Sequence, residues 1–475
     1  MSNRPLAASV LAATAVLAIV VGAAPAAFAD APVPPAAAAT AAPTAPDQSV
    51  PVTPAAGDTS TVALATPSDS GAPATADTTD LTLDSYDQQS GRAVLAATGN
   101  AAADPGIAAA ATSSVQPGRL IDSPPTAAAP HGALVAVTAV QPAGDGKVAV
   151  STRPASLTEL LGRVSAYGRT LIDPHNLKVE PLADDVNVAF TGQDGSGSAN
   201  ASAALHLNVH AKVPTPDRTS VELAGTLDLK PAVELDYQGA THGLLPEHTR
   251  IGFDLGAHAN WHITAALHGA ARPIRIPVAH LAGNETVMAG PLPIVITLGL
   301  TLTAEVGADG DVTFDAQQDL DGAWGFHAGY TKGRGWTGRT DPGTFTATPV
   351  RATIAGNASV RTGLIADGSV ALYDAVGVKA GIEPYLRTQV NGSLTIDTSG
   401  APPVVTGQAG LYAGLDVTGG LLVKLPGLGP FFEKNLSFPI YHNEWPLALP
   451  SLSGGGSAGG SGGAVSNESG STPTG

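Results

Sequence analysis

Between Ile251 and His268 the chain alternates without interruption. Odd positions carry Ile251, Phe253, Leu255, Trp261, Ile263 and Leu267, while even positions carry Asp254, His258, Asn260, His262, Thr264 and His268. A β-strand sends successive side chains to opposite faces, so this run has one apolar and one polar face. Trp261 is expected in the core and His262 at the surface. At about 3.4 Å per residue the run would extend roughly 60 Å, far beyond an ordinary strand. It is therefore one long bent strand, or two strands joined by a bulge near its glycines. The pattern recurs. Leu205, Leu207 and Val209 alternate with His206, Asn208 and His210, and Leu298, Leu300 and Leu302 with Thr297, Thr301 and Thr303. Leu386, Val390 and Leu394 face away from Arg387, Gln389 and Asn391, and Leu411, Ala413, Leu415 and Val417 form a further apolar row. Dry on one face and wet on the other is the antiparallel signature.

Turn chemistry fits this reading. Asp309-Gly310 separates Val306 from Val312-Thr313-Phe314, and Asp-Gly is a preferred hairpin turn, so a hairpin is expected there. Asp321-Gly322 and Asp367-Gly368 read as similar punctuation. A single helix is expected, from Ser156 to about Tyr167. Ser156 and Glu159 have capping-box spacing, and Leu157, Leu160, Leu161 and Val164 form the i, i+3, i+4, i+7 stripe.

The ends of the chain carry no such pattern. Arg4, the apolar run Leu6–Gly22 and the small-x-small site Ala27-Phe28-Ala29 make residues 1–29 a secretory signal peptide, cleaved after Ala29. Residues 30–78 are rich in Ala, Pro, Thr, Ser and Asp and read as a disordered linker. Residues 79–173 read as a small β-module ending in the helix, 174–450 as a large antiparallel β domain, and 451–475 as a disordered Gly/Ser tail. The expected class is all-β, with large sandwich-like antiparallel sheets. There is no cysteine, which excludes disulfides, thiolate metal sites and cysteine nucleophiles. A formal charge of -17 with scattered Lys and Arg argues against a nucleic-acid surface.

Catalytic signatures are lacking. There is no HExxH, Walker loop or dinucleotide fingerprint, and the one G-x-S-x-G string, at Gly455–Gly459, lies in the Gly/Ser tail. His206 with His210, and His258 with His262, lie about 13 Å apart along single strands, too far to share an ion, so no metal or other cofactor is expected. Asp309, Asp311, Asp315, Asp319 and Asp321 lack the spacing of a calcium loop and read as turn and solubility residues. Glu305, Glu383, Glu433 and Glu444 are the carboxylates near strands that a glycosidase would need in pairs, but none sits in a motif. Residues 324–345 set Trp324, Trp336, Arg334 and Arg339 among glycines, and these four are the candidate binding residues, for a cell-wall polymer or polysaccharide.

Gly118–Ser123, Pro130–Val137 and Thr152–Leu157 resemble a module at the start of many bacterial extracellular β-rich proteins. Gly290–Ile296 is similar to their middle, and Leu411–Leu415 and Tyr441–Leu447 to their end. The resemblance implies an exported β-rich protein and assigns no functional residue. The expected role is non-catalytic binding or structure outside the cell. A secreted polysaccharide hydrolase and a carrier of apolar ligands are the alternatives.

Overall fold

The structure is a computed structural model. It describes residues 49–55, 60–68, 72–183, 185–191, 204–213, 220–239, 246–269, 273–341, 345–347, 351–396, 404–423 and 434–448. The expected signal peptide, residues 30–48 of the expected linker and the expected Gly/Ser tail lie outside them. The first part of the described chain holds β1 (Ser49–Pro54), β2 (Ala63–Thr66), β3 (Thr75–Thr78), β4 (Leu81–Asp87), β5 (Arg92–Ala97), α1 (Gly99–Ala103), α2 (Pro105–Ser113), β6 (Leu120–Ser123), β7 (Ala133–Gly144), β8 (Lys147–Pro154) and α3 (Leu157–Leu161). Then come β9 (Ser165–Leu171), β10 (Leu177–Pro181), β11 (Val186–Thr191), β12 (Ala204–Val213), β13 (Ser220–Gln238), β14 (His248–Leu267), β15 (Ile274–Ala289) and β16 (Leu292–Thr331). The last are β17 (Gly335–Asp341), β18 (Phe345–Ala347), β19 (Arg351–Leu372), β20 (Val376–Ile396), β21 (Val404–Val423) and β22 (Lys434–Ala448).

The fold is mainly β and mostly antiparallel, in two sheets. A 7-stranded sheet runs β3-β2-β6-β7-β8-β5-β4, and the other 15 strands form the large sheet. Two expectations are corrected. Residues 49–54, 63–66 and 75–78 of the expected linker are strands, β1 in the large sheet and β2 and β3 in the small one. The small module also ends earlier than residue 173, because β9 pairs with β13 of the large sheet. The capping box is present, with Ser156 Oγ accepting from Glu159 N and the Glu159 carboxylate accepting from Ser156 N. The helix nevertheless stops at Leu161, where Gly162 takes φ +61, and Ser165 onward is strand. Two short Ala-rich helices were not anticipated. The second is set by Pro105 in its first turn and by Asp104, whose carboxylate accepts from Gly106 N and Ile107 N.

The large sheet is organised by β16, a single strand of 40 residues. One of its edges pairs first with β15 and then with β14, while the other pairs with β19, β18 and β17. Hydrogen-bonded pairing then closes on itself. Leu292 pairs with Ala289, Ala289 with Val52, Val50 with Ala166, Ala166 with Tyr237, Tyr237 with Thr249, and Thr249 with Tyr330. Six steps of about 4.8 Å and two residues along β1 total about 35 Å, whereas a straight β16 would be about 130 Å long. The strand must therefore fold back, laying β12, β13 and β14 over the sheet of β16, β19 and β20.

The place of folding is marked by glycines. Gly310, Gly356, Gly392 and Gly407 have φ of +119, +149, +128 and +84. They stand in neighbouring strands, with Val312 opposite Gly356, Gly356 opposite Gly392, and Gly392 opposite Gly407. A Cβ at any of them would lie 2.0–2.2 Å from a carbonyl oxygen of the adjacent strand. Asp309-Gly310 is thus a corner inside β16 and not the expected hairpin, and Asp321-Gly322 and Asp367-Gly368 also lie within strands. Side-chain parity is kept through the corner. Leu302, Leu320 and Phe326 share the inner face with Trp261, which is 6% exposed, while the His262 side chain is 45% exposed.

The two sheets meet at β6. Ile121 faces the small sheet's own core, while Leu120 packs with the large sheet. Asp122, on the Leu120 side, is fully buried. The Tyr373 hydroxyl lies 2.8 Å from Asp122 Oδ1 and 3.0 Å from the Pro293 carbonyl oxygen. A hydroxyl has one proton and the carbonyl has none, so both contacts are hydrogen bonds when Asp122 keeps its own proton. Burial pushes the Asp122 carboxyl well above its ordinary range, against the hydrogen bond with Tyr373. A carboxyl whose folded value is raised stabilises most below its unfolded value of about 3.9, and this contribution is lost as pH rises toward the folded value. Asp122→Asn is therefore expected to flatten the fall of stability with rising pH, and Tyr373→Phe to cost about 1–3 kcal/mol by stranding buried oxygens. Urea melts at pH 4 and pH 7 check both. Parallel pH profiles for wild type and Asp122→Asn would mean that Asp122 titrates as a surface residue.

Candidate functional site

On the outer face of β15 to β22, alternation and register bring charged and aromatic side chains from distant parts of the chain into cross-strand rows. One row reads Arg275, Glu305, Gly363, Tyr385, Gly414 and Glu444. The row on one side holds Arg361, Arg387 and Tyr412, and the row on the other holds Glu383, Asp416 and His442. Arg361 and Arg387 stand directly opposite each other, which is unfavourable for like charges. Neighbouring rows offset this. Arg361 donates to Glu383 Oε1, 2.8 Å from its Nη2, and to Asp416 Oδ2. Arg387 donates to both oxygens of Glu444, with Nε 2.8 Å from Oε2. Each guanidinium also lies over a ring, Arg361 3.6 Å from the Tyr385 centroid and Arg387 4.3 Å from that of Tyr412.

The glycines shape this lattice. A Cβ at Gly414 would sit 2.0 Å from Tyr385 Cζ, so glycine lets the ring cross β21 and its hydroxyl donate to Glu444 Oε2 at 3.3 Å. Burial, with the charges of Asp416 and Glu444, pushes the Tyr385 hydroxyl up to about 12. Burial raises the Glu383 carboxyl despite its bonds to Arg361, and raises Asp367 on the same face. Glu444 is held below its ordinary value, chiefly by the hydrogen bonds from Arg387. The head groups are not sealed off. Arg361, Arg387, Asp416 and Glu444 each keep 23–31% of their side-chain surface accessible. Chemically the face carries forked guanidinium donors, carboxylate acceptors and the half-buried Tyr412 ring, with the buried Tyr385 as a support beneath them.

The four residues expected to bind do not form one exposed platform. Trp324 is 7% exposed, on the inner face with Ile382, Leu415 and Val417. The glycine-rich segment is no open loop either, since β17 pairs with the end of β16. Arg334 is exposed in the turn between them. Trp336 and Arg339 lie on β17 opposite Tyr330 and His327, with side chains outside the described set. Of the carboxylates, Glu305, Glu383 and Glu444 do share one face, and Glu433 lies outside the described residues. The acidic run of β16 is spread along the strand and meets the histidines of β14. His258 is 3.2 Å from Asp321, and His262 2.9 Å from Asp315.

A second constellation was missed in the sequence. Glu234 of β13, Asp254 of β14 and His327 of β16 converge on the outer face and are the described residues able to hold a metal ion. His327 Nε2 lies 2.9 Å from Glu234 Oε2 and 3.8 Å from Asp254 Oδ1. A cavity lined by Leu227, Leu255, Leu302, Leu320, Leu364 and Ile382 has a volume of about 20 Å³. That is room for about one water molecule, against at least about 300 Å³ for a small-molecule pocket. No protein-family model, curated protein or solved structure matches this chain.

Proposed function

We infer that this is an exported, non-catalytic β-protein that binds a polyhydroxylated polymer of the cell-wall or polysaccharide type. The observation that carries the reading is the Arg361–Glu383–Tyr385 and Arg387–Tyr412–Glu444 lattice. Such a polymer offers vicinal hydroxyls along an extended chain. A face with alternating guanidinium donors and carboxylate acceptors, spread over the adjacent strands β19 to β22, matches that chemistry. The signal peptide supports export. Among the described residues no helix is long and apolar enough to cross a membrane.

The test is retention of the mature chain on insoluble polysaccharides and on the producer's own cell walls. The wild type is expected to be retained, and Arg387→Ala with Tyr412→Ala to reduce retention at least tenfold while the chain stays folded. A second arm changes Arg334, Trp336 and Arg339 to Ala. Loss of retention there alone would place binding at the turn after β16. No retention of the wild type on any of these materials would end the polymer reading. A hydrolytic reading draws on one observation, the raised carboxyl of Glu383 with Glu305 and Asp416 close enough to act on it. It requires release of reducing ends by the wild type and none by Glu383→Gln.

A further inference from the structure

We propose that Glu234, Asp254 and His327 form a binding site for one divalent transition-metal ion of the zinc type. The three come from adjacent strands, with Glu234 opposite Gly252 and Gly252 opposite His327, while Asp254 follows two residues along β14. Their ligand atoms lie within 4.8 Å of one another. Atoms bound to one zinc at about 2.0–2.1 Å in a tetrahedron stand about 3.3 Å apart. The separations of 2.9 Å and 3.8 Å from His327 Nε2 bracket that value. One imidazole and two carboxylates are a donor set for a borderline ion, with a fourth position left for water.

Two features favour a ligand site over a simple ion pair. His327 is 7% exposed at its side chain, and the Cδ2 edge of its ring crosses Gly252. A Cβ on Gly252 would come within 2.0 Å of His327 Cδ2 and 2.9 Å of Nε2. Glycine at this position therefore leaves the room the ring needs to point Nε2 at both carboxylates. The second feature is how the arginines are placed. Arg169 Nε donates to Asp254 Oδ2 at 2.7 Å, the oxygen turned away from His327, and so orients the carboxylate while leaving Oδ1 to the site. Arg250 stands 3.6 Å from Glu234 Oε2, beyond a hydrogen bond, and its 40% exposed side chain can swing into solvent when a cation enters. The expectation that no metal binds rested on histidines along single strands. It did not weigh one histidine meeting carboxylates from two other strands.

The experiment uses the full mature chain, stripped with chelator, and measures uptake of Zn²⁺ by calorimetry and elemental analysis, with Co²⁺ as a spectroscopic substitute. One equivalent of Zn²⁺ per chain is expected, together with a Co²⁺ visible spectrum of low coordination number. Glu234→Gln, Asp254→Asn and His327→Gln should each abolish it. Gly252→Ala keeps all three ligands and should weaken binding about 10–100-fold by displacing the ring, as loss of an orienting contact does. His258→Ala, in the exposed row of β14, should change nothing. Circular dichroism separates a lost site from a lost fold. Failure of the folded wild type to bind overturns the proposal by itself. So does uptake that survives His327→Gln, or that disappears with His258→Ala.

Discussion

Trp261→Ala is expected to destabilise the protein by about 3–5 kcal/mol, the range for a large aromatic removed from a packed core. Trp261 stands on the inner face of β14, and its indole Nε1 donates to Gln318 Oε1 at 3.1 Å. Gln318 is itself 4% exposed, so truncation would open a cavity and also strand a buried amide oxygen. The adjacent His262→Ala should fall within about 1 kcal/mol, because an exposed pair such as His262–Asp315 contributes little. Urea denaturation of both variants beside the wild type decides the matter. Equal losses, or a larger loss for His262→Ala, would mean that the pleat of β14 is out of register by one residue.

That contrast rests on what the sequence shows most clearly. Parity along Ile251–His268 assigned each residue to a face before any pairing was known, and the same parity governs β13, β16 and β20. It also contained a signal that was overlooked. Trp324 has the parity of Leu320 and Phe326, so it belongs on the inner face, and the nearby glycines misleadingly suggested a loop. The candidate sites were less legible for a physical reason. Parity places Arg361, Arg387, Tyr385 and Glu444 on the polar face, but which of them meet depends on strand order and register. Glu234 and His327 are 93 residues apart, and only the pairing of β13, β14 and β16 brings them together. Asp-Gly was ambiguous in a similar way. Glycine accepts positive φ at a hairpin turn and at a corner inside a strand alike, and the neighbouring strands decide between them.

The corner makes the last prediction. Gly356→Ala and Gly392→Ala each place a Cβ in the left-handed region, at φ +149 and +128, about 2 Å from the carbonyl oxygens of Asp311 and Thr406. Residues forced into glycine-only backbone cost about 1–3 kcal/mol each. The two glycines face each other across β19 and β20, so a departure from the summed single effects would measure their coupling. The double variant is expected to lose about 2–6 kcal/mol, enough to threaten a domain whose whole stability is about 5–15 kcal/mol. Gly256→Ala is the matched control. It lies in the middle of β14 with ordinary φ, and its nearest neighbour, Lys230 Cβ, is 3.5 Å away. There alanine should be neutral or stabilise by up to about 1 kcal/mol, because a glycine inside a strand is entropically unfavourable. Opposite signs at Gly356 and Gly256 in urea melts would separate the glycines that fold the sheet over from those that merely sit in it. A Gly356→Ala variant as stable as Gly256→Ala would mean that β19 does not turn at Gly356.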